Sequence, residues 1–565
     1  MSGDRQTGDR QTYIRETKEG LNPGSCMMVP TGAYGKTNVG IGHFGYDFNP
    51  CNAHLADLAS KVRNGFNQSL LHANVFAVTG VSDGISMGYD AMRHSLVSRD
   101  IGALSIINHV SAAPYEGIIL IPGCDKNMPA AAMALLSLNI PGYILAGGSI
   151  KPGNLDGNEI DIVTSFIAAG QVAKGIISEE QRRRIQENAC PGFGACGGMY
   201  TANSMFTLFE AMGLSPLYSS STLADNKEGE CLDAHTILED IIAKKRIPSE
   251  FITKASFENA VRIVSVLGGS TNPVLHLIGI AKSGEINFTE ADFERVSRDT
   301  PFIGNLMPSG IYRMKDISEA GGTPAILRYM LDNGHLDGNA LTLTGRPIGE
   351  ELQRISYDKD RLLKSGVIVP FEQSYLGRGH LVMLKGNLGT GWTKISGSGL
   401  EPYEGRAVVF ESESDFHSHW QEKVKGDGDF VVIRYEGPKS APGMPEMLKP
   451  TTALVGKYGK DARIGLITDG RFSGGSVGGS PIIGHVDEAF DGGLIGIIND
   501  GDIMKVDPAN NSMHLLVDPK EIERRRKDYR IPISVIERIA ASPRDLKFYY
   551  KNTSSAREGA TMLFS

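Results

Sequence analysis

The sequence predicts an α/β protein in two parts: an N-terminal parallel-sheet α/β domain and a C-terminal β-rich domain. Three observations lead there. "EGIILI" (116–121), "PAAAMALLSLNI" (129–140) and "YILAGGS" (143–149) read as strand, helix and strand, a βαβ unit that implies a parallel sheet. The segment 346–380 is more polar than the chain on either side of it. Beyond it "HLVMLKG", "GRAVVFES", "DFVVIRY", "RIGLITDG" and "LIGIIND" read as strands, and helical patterns thin out.

Taken in order, residues 1–34 read as a flexible N-terminal tail and lead-in. GDRQT occurs twice in tandem there, at 3–7 and 8–12. Asp4 and Asp9 argue against a transit peptide, which is poor in acids. Residues 35–360 read as the α/β domain. Within its βαβ unit Pro129 falls in the first turn of the helix, where a missing N–H costs nothing. The loop Gly123–Met128 then lies at the carboxyl end of a strand and the start of a helix. Open α/β sheets bind ligands at that place. "VRIVSVLGGSTNPVLHLIGIAKSG" (261–284) reads as two buried helices broken at GGSTN. A polar turn in so apolar a stretch either faces a ligand or simply connects the helices. Residues 361–565 read as the β-rich domain, barrel-like or layered.

Composition narrows the function classes. Charged residues are 22% and hydrophobic ones 41% of 565, ordinary for a globular chain able to bury large cores. Lys plus Arg is 57 and Asp plus Glu 65, so the net charge is 57 − 65 = −8, which disfavours a nucleic-acid partner. No apolar run approaches the roughly 18 residues of a membrane span, so no membrane partner is expected. Glycine, at 68 residues, is in excess and marks many tight loops. The six cysteines form no CxxC pair and follow no secretory signal, so reduced thiols in an intracellular compartment are expected. That compartment is the cytoplasm as the sequence stands, or mitochondrion or plastid if a transit peptide has been removed.

Six loops hold candidate chemistry: "NPCNAHL" with Cys51 and His54; "VSDGISMG" with Asp83; "PGCDKNMPA" with Cys124, Asp125 and Lys126; "CPGFGACGGMYTANSM" with Cys190 and Cys196; "GPKSAPGMPEM" with Glu446; and "ITDGRFSGGSVGGSP" with Asp469, Arg471 and Ser473. Each alone is weak. A single cysteine is usually a small buried apolar residue. Cys51, Cys124 and Cys196 lie 73 and 72 residues apart, unlike a zinc ribbon. Asp83 before glycine serves a turn equally well. Ser473 is not in a GxSxG elbow, and "GGSVGG" lacks the ending of a P-loop.

Together, "PCNAHL", "SDGISMG", "GCDKNMP", "ACGGMYTANSM", "LGGSTN", "GMPEM" and "TDGRFSGG" occur in this order across residues 50–475. That set closely resembles the dihydroxy-acid dehydratase family, which includes phosphogluconate and sugar-acid dehydratases. The resemblance runs from about residue 35 to near the C-terminus. It implies a [2Fe–2S] cluster, [4Fe–4S] in some relatives, held by Cys51, Cys124 and Cys196, with Cys190 not a ligand. It implies Mg²⁺ held by Asp83, Asp125, Glu446 and a carbamate on Lys126, with Ser473 as proton acceptor. It also implies that the C-terminal domain swivels, that the chain works as a homodimer, and that the partner is a small 2,3-dihydroxy carboxylic acid.

The chemistry suits that inventory. Dehydration removes the C2 proton and the C3 hydroxyl, and the enol becomes a 2-oxo acid. Three cysteines leave one iron of a cluster open to an oxygen. A divalent cation stabilises charge developing on the carboxylate and the C2 oxygen, and nearby positive charge makes a serine alkoxide accessible. An ammonium has no lone pair, so Lys126 serves as a ligand only once modified. "CDKNMP" favours dihydroxy-acid over sugar-acid members, which implies 2,3-dihydroxy-3-methylbutanoate as substrate, in valine and isoleucine synthesis. Ala130, where glycine is usual, Asp90, and the Gly/Ser-rich stretch after Ser473 depart from the family pattern and bear on substrate fit. They raise a divergent, inhibitor-tolerant paralogue as a further expectation. The alternatives are a sugar-acid or 6-phosphogluconate dehydratase and, from another class, a non-catalytic iron–sulfur protein. An electron carrier normally saturates its cluster with four ligands.

Overall fold

The computed structural model describes residues 3–173, 175–459, 461–472 and 480–563. Its N-terminal sheet has four strands, β1 (Thr37–His43), β2 (Leu71–Ala77), β3 (Tyr115–Ile121) and β4 (Gly142–Ile144). Their order is β2-β1-β3-β4, and every pairing is parallel. β3 is buried almost throughout, as the continuous apolar run of a strand covered on both faces requires. The helix after it, Asn127–Leu138, is buried from Asn127 to Leu136, as a helix apolar all round must be. It stops at Asn139, which takes the left-handed conformation (φ 46°). One hydrophobic core runs from Val39 through this sheet and its helices to Ile368, and also takes in Leu381, Met383 and Trp392.

A two-stranded hairpin, β5 (Gly153–Leu155) and β6 (Asn158–Ile160), projects beside the sheet. The C-terminal part carries β7 (Leu381–Gly386), β8 (Gly389–Lys394), β9 (Tyr403–Phe410), β10 (Asp429–Ile433), β11 (Glu446–Met447), β12 (Gly465–Thr468), β13 (Arg471–Phe472), β14 (Ile482–Gly484), β15 (Ile503–Asp507) and β16 (Ser512–Leu515). Eight of these close a barrel in the order β10-β12-β14-β8-β7-β16-β15-β9, and β11 pairs with β13 outside it. The two-residue period sorts β10 cleanly: Phe430 and Val432 join one core with Ile467 and Met504, whereas Val431 and Ile433 join another with Phe416 and Leu454 of flanking helices. The α/β parallel sheet and the β-rich barrel therefore match the expected fold class.

Three details differ from the sequence reading. "LIGIIND" is not a strand, because Leu494–Ile497 forms a 3₁₀ turn. "YILAGGS" is strand only at its start. The tail expected to be flexible contains a helix, Gly3–Lys18. Arg10 of that helix donates to the carbonyls of Val110 (3.0 Å) and Tyr115 (2.9 Å). It thereby places a cation at the carboxyl end of helix Arg93–Ala112, where the helix dipole favours one. No helix among the described residues is long and apolar enough to cross a membrane.

Candidate active site

The carboxyl ends of the parallel strands bring the cysteines together. Cys51 follows β1 and Cys124 follows β3, its neighbour in the sheet. The two loops touch because residue 123 is glycine: a β-carbon there would lie 2.2 Å from the Cys51 carbonyl oxygen. Asn127 ties them, its Oδ1 accepting from the Cys124 N–H (2.9 Å) and from Asn52 Nδ2 (2.8 Å). Cys196 arrives on a third loop. Ala195 pairs with Ser149 beyond β4, and the Gly194 N–H donates to the Pro50 carbonyl (2.8 Å). Asn203 holds this loop by donating to the carbonyls of Cys196 (2.6 Å) and Gly198 (2.7 Å). The Cys51 thiol hydrogen-bonds to those of Cys124 and Cys196. These contacts and then burial hold its pKa well above the ordinary thiol range. Cys190 is exposed and stands outside the trio.

The next residues of the Cys124 loop face a different cluster. Ligand oxygens of Asp83, Asp125 and Glu446 all lie within 4.8 Å of one another. Asp83 opens the short helix Asp83–Ser86 after β2, and Lys126 is the N-cap of helix Asn127–Leu138. Glu446 comes from β11 in the barrel half, in register with Arg471 on β13. Lys126 Nζ donates to Asp83 Oδ2 (2.8 Å) and Glu446 Oε2 (3.3 Å), and the latter also accepts from Arg471 Nη1 (3.3 Å). Asp125 Oδ1 accepts from the Ala202 N–H (3.1 Å) at the start of helix Thr201–Ala211. Burial, and next the charge of Asp83, push the Asp125 carboxyl up to about 7. Burial opposes the Lys126 ammonium, but Asp83 and Glu446 outweigh it and its pKa is raised.

Two donor sets of different character thus meet on one loop. Three carboxylates with a buried Asp83 Oδ1 that has no hydrogen-bond partner among the described residues suit a hard divalent cation such as Mg²⁺. Three thiols, with Cys51 in contact with the other two, suit a soft iron–sulfur centre. The residues present fit both groups.

Asn272, the first residue of helix Asn272–Ser283, also reaches the site. Its Nδ2 donates to Glu446 Oε2 (3.1 Å) and Thr201 Oγ1 (2.8 Å), and its Oδ1 accepts from Arg471 Nη1 (2.8 Å). The break at GGSTN signalled this turn, which faces the site and also joins helices Lys254–Leu267 and Asn272–Ser283. Ser95, which donates to Asp83 Oδ2 (2.8 Å), gave no signal in the sequence. Asp469 does not join the cluster. Its carboxylate accepts from the N–H groups of Tyr435 (3.2 Å), Glu436 (2.8 Å) and Ala489 (3.1 Å) and holds those loops in place. His54 is turned to the Gly147 carbonyl (2.8 Å). Ser473 lies outside the described residues. Beside Asp83 a cavity of roughly 850 Å³ opens between the two halves, lined by Gly84, Met87, Phe166, Trp420 and Lys449 among others.

Comparison with known proteins makes the chain a dehydratase, a hydro-lyase assembled from two family-specific parts. Residues 36–351 match the model of the dihydroxy-acid/6-phosphogluconate dehydratase N-terminal domain, and residues 366–560 match that of the C-terminal domain. The chain belongs to this dihydroxy-acid dehydratase family. It is 42% identical over 559 residues to a dihydroxy-acid dehydratase of Francisella tularensis subsp. novicida, covering 97% of this chain and 98% of that one. It is 43% identical to a dihydroxy-acid dehydratase of Flavobacterium psychrophilum, covering 93% of each chain. It is 44% identical to one of Lactococcus lactis subsp. cremoris, covering 88% of this chain and 87% of that one.

Proposed function

We propose that this chain dehydrates 2,3-dihydroxy-3-methylbutanoate to 3-methyl-2-oxobutanoate and water, and the 3-methylpentanoate homologue likewise, in valine and isoleucine biosynthesis. The observation that carries this reading is the sequence Cys124–Asp125–Lys126 on one loop, with thiols gathered on one side and carboxylates on the other. An eliminated hydroxyl and a developing enolate need stabilisation at two neighbouring points, and a loop that turns a thiol to one cluster and a carboxylate to the other supports a reading with two such centres.

In this reading Cys51, Cys124 and Cys196 hold a [2Fe–2S] cluster, and Asp83, Asp125, Glu446 and carbamylated Lys126 hold Mg²⁺. When bound, these groups supply Lewis acidity towards the leaving hydroxyl and towards the carboxylate and C2 oxygen. Ser473 takes the C2 proton. Arg471, two residues before it and beside Glu446 at 3.3 Å, contributes positive charge that favours the serine alkoxide. Asn272 and Ser95 fix the carboxylates they donate to, so the charges stay placed as the elimination proceeds. The chain works as a homodimer.

The test is a substrate panel on anaerobically reconstituted enzyme with Mg²⁺, following 2-oxo acid formation from 2,3-dihydroxy-3-methylbutanoate, 6-phosphogluconate and a pentonate. Turnover of the branched acid alone is expected. Turnover of a sugar acid alone would keep the reaction and replace the substrate. No turnover with both metal centres bound would make this a non-catalytic iron–sulfur protein. Intact mass under CO₂ tests the Lys126 carbamate, and light scattering tests the dimer.

A further inference from the structure

The cavity beside Asp83 has a character of its own, and the chemistry above makes no use of it. Its volume, roughly 850 Å³, falls in the range of about 300–1,000 Å³ that drug-sized ligands occupy. A five-carbon acid does not fill it. Both halves build its walls. Helices Asp83–Ser86, Ile162–Ala173 and Glu179–Asn188 come from the N-terminal half, and helices Glu413–Lys423 and Lys449–Tyr458 from the barrel half. Helices Ile162–Ala173 and Lys449–Tyr458 cross glycine on glycine: a β-carbon on Gly170 would lie 3.4 Å from the Gly456 α-carbon. The apolar wall runs across the junction, since Met87 and Phe166, which line the cavity, share a small core with Leu448 of the barrel half.

The charges that line this cavity have one sign. Arg182, Lys449 and Lys457 are among its lining, and no aspartate or glutamate is, among the described residues. Asp83, next to the lining Gly84, is buried and turned to Ser95 and Lys126. Arg182 is paired with Glu179, and His417 lies 3.4 Å from Glu413. The two lysines meet no carboxylate among the described residues. Lys457 Nζ stands 5.1 Å from the centre of the Trp420 ring and 3.4 Å from the Gln421 carbonyl oxygen. Lys449 Nζ donates to the Gly88 carbonyl (2.8 Å) and stands 4.0 Å from the centre of the Tyr89 ring. Lys449 is also set against its own helix. It is the first residue of Lys449–Tyr458, where the helix dipole disfavours a cation. Room is made for it at Gly88, which has φ +75° and where a β-carbon would run into Lys449 Cδ. A cation opposed by a dipole, without a counter-ion, beside a cavity that holds no acid, is placed to meet an anion.

We propose that this cavity is a second binding site, for an organic anion with an apolar or aromatic body. Lys449 meets the anionic group, and the body lies against Met87, Phe166 and Trp420. Lys457, eight residues on and so about 12 Å further along the helix, adds attraction without a contact. Burial of the body supplies most of the affinity, and the lysines supply the preference for charge. Such a ligand touches both halves at once and stabilises their packing against each other by mass action. No bond is made or broken, and the site stands whatever acid the enzyme dehydrates.

Fluorescence titration of the reconstituted holoenzyme tests this with two dyes. 8-Anilinonaphthalene-1-sulfonate carries an aromatic body and an anion; N-phenyl-1-naphthylamine keeps the body and lacks the charge. Wild type should bind one sulfonate per chain, saturably, and the neutral dye about 10-fold more weakly. Added salt should weaken the sulfonate alone. Lys449→Met keeps an apolar stem and removes the charge, so it should weaken the sulfonate about 10-fold and leave the neutral dye unchanged. Trp420→Ala should weaken both. Iron content and far-UV circular dichroism equal to wild type show that each variant is folded, and the comparison of dyes in wild type needs no variant. The proposal is overturned by a sulfonate that does not saturate, by a neutral dye that binds as tightly, or by a folded Lys449→Met that binds the sulfonate as wild type does. Competitive displacement of the sulfonate by 3-methyl-2-oxobutanoate also overturns it, because the dye would then sit in the active site. None of these outcomes touches the dehydratase reading, which the substrate panel decides.

Discussion

Cys124, Asp125 and Lys126 are consecutive, yet they serve two clusters, so single substitutions should separate the two. Cys196→Ser removes one thiol of the trio and leaves the carboxylates untouched. It should lose bound iron and the visible absorbance of the cluster while retaining far-UV circular dichroism and Mg²⁺ binding by calorimetry. Glu446→Gln does the reverse. It takes a negative charge from a position contacted by Lys126, Arg471 and Asn272, and should lower kcat/KM by about 100-fold or more while leaving the iron content unchanged. At this scale the sequence was legible where a residue carried its own chemistry. The thiols and carboxylates stand out as types, and order and motif name them. The residues that support them do not stand out, because a serine such as Ser95 looks the same in a helix whether it faces a carboxylate or a neighbouring turn.

Elements were legible where periodicity was strong. β3 and the helix after it declare themselves by an unbroken apolar run and a proline-marked start. "LIGIIND" misled because a short apolar run fits a strand and a buried 3₁₀ turn equally well, and only packing decides. The helix at Gly3–Lys18 was illegible because its support is tertiary, from Arg10 and from Tyr13, whose hydroxyl donates to the Ala112 carbonyl at 2.9 Å. A prediction at this scale concerns how the C-terminal segment lies on helix Asn272–Ser283. Gly559 has φ +90°, and a β-carbon there would lie 2.7 Å from the Gly279 nitrogen. Gly559→Ala should destabilise by about 1–3 kcal/mol, read as a lower thermal midpoint. Gly279→Ala, whose new methyl would meet Arg99 Nη1 at 3.6 Å and the Gly559 oxygen at 3.8 Å, should be close to neutral.

Across the whole molecule, burial of titratable groups sets the response to acid. His380 is fully buried beneath the GGSTN turn, its Nε2 2.7 Å from the Gly269 carbonyl oxygen, and burial above all pushes its pKa down to about 3. Its folded value lies below the unfolded value of about 6.5, so its contribution is present above that pH and is lost as pH falls from there towards 3. Glu210 and Glu436, pushed up to about 7 by burial, act in the opposite sense. Comparison with a variant isolates the histidine: the stability gap between wild type and His380→Gln should widen as pH rises from 4.5 to 6.5 and stay level above it, followed by urea denaturation. The two-part plan was legible from the change of pattern along the chain. That the β-rich part closes into a barrel was not, because closure depends on pairings such as β7 with β16 that no local signal reports.

The clamp that Arg99 and Asp100 place on residues 560–562 bears on how the protein is made. Asp100 Oδ2 accepts from the Met562 N–H at 2.7 Å, and Arg99 holds the carbonyl two residues earlier. On the ribosome the helix bearing this pair emerges first, and its partners arrive only after some 460 further residues. Glu446 also arrives late. A nascent chain therefore carries an ion pair without its later partners and four loops awaiting Glu446, and the site is completed only after the scaffold that bears most of it.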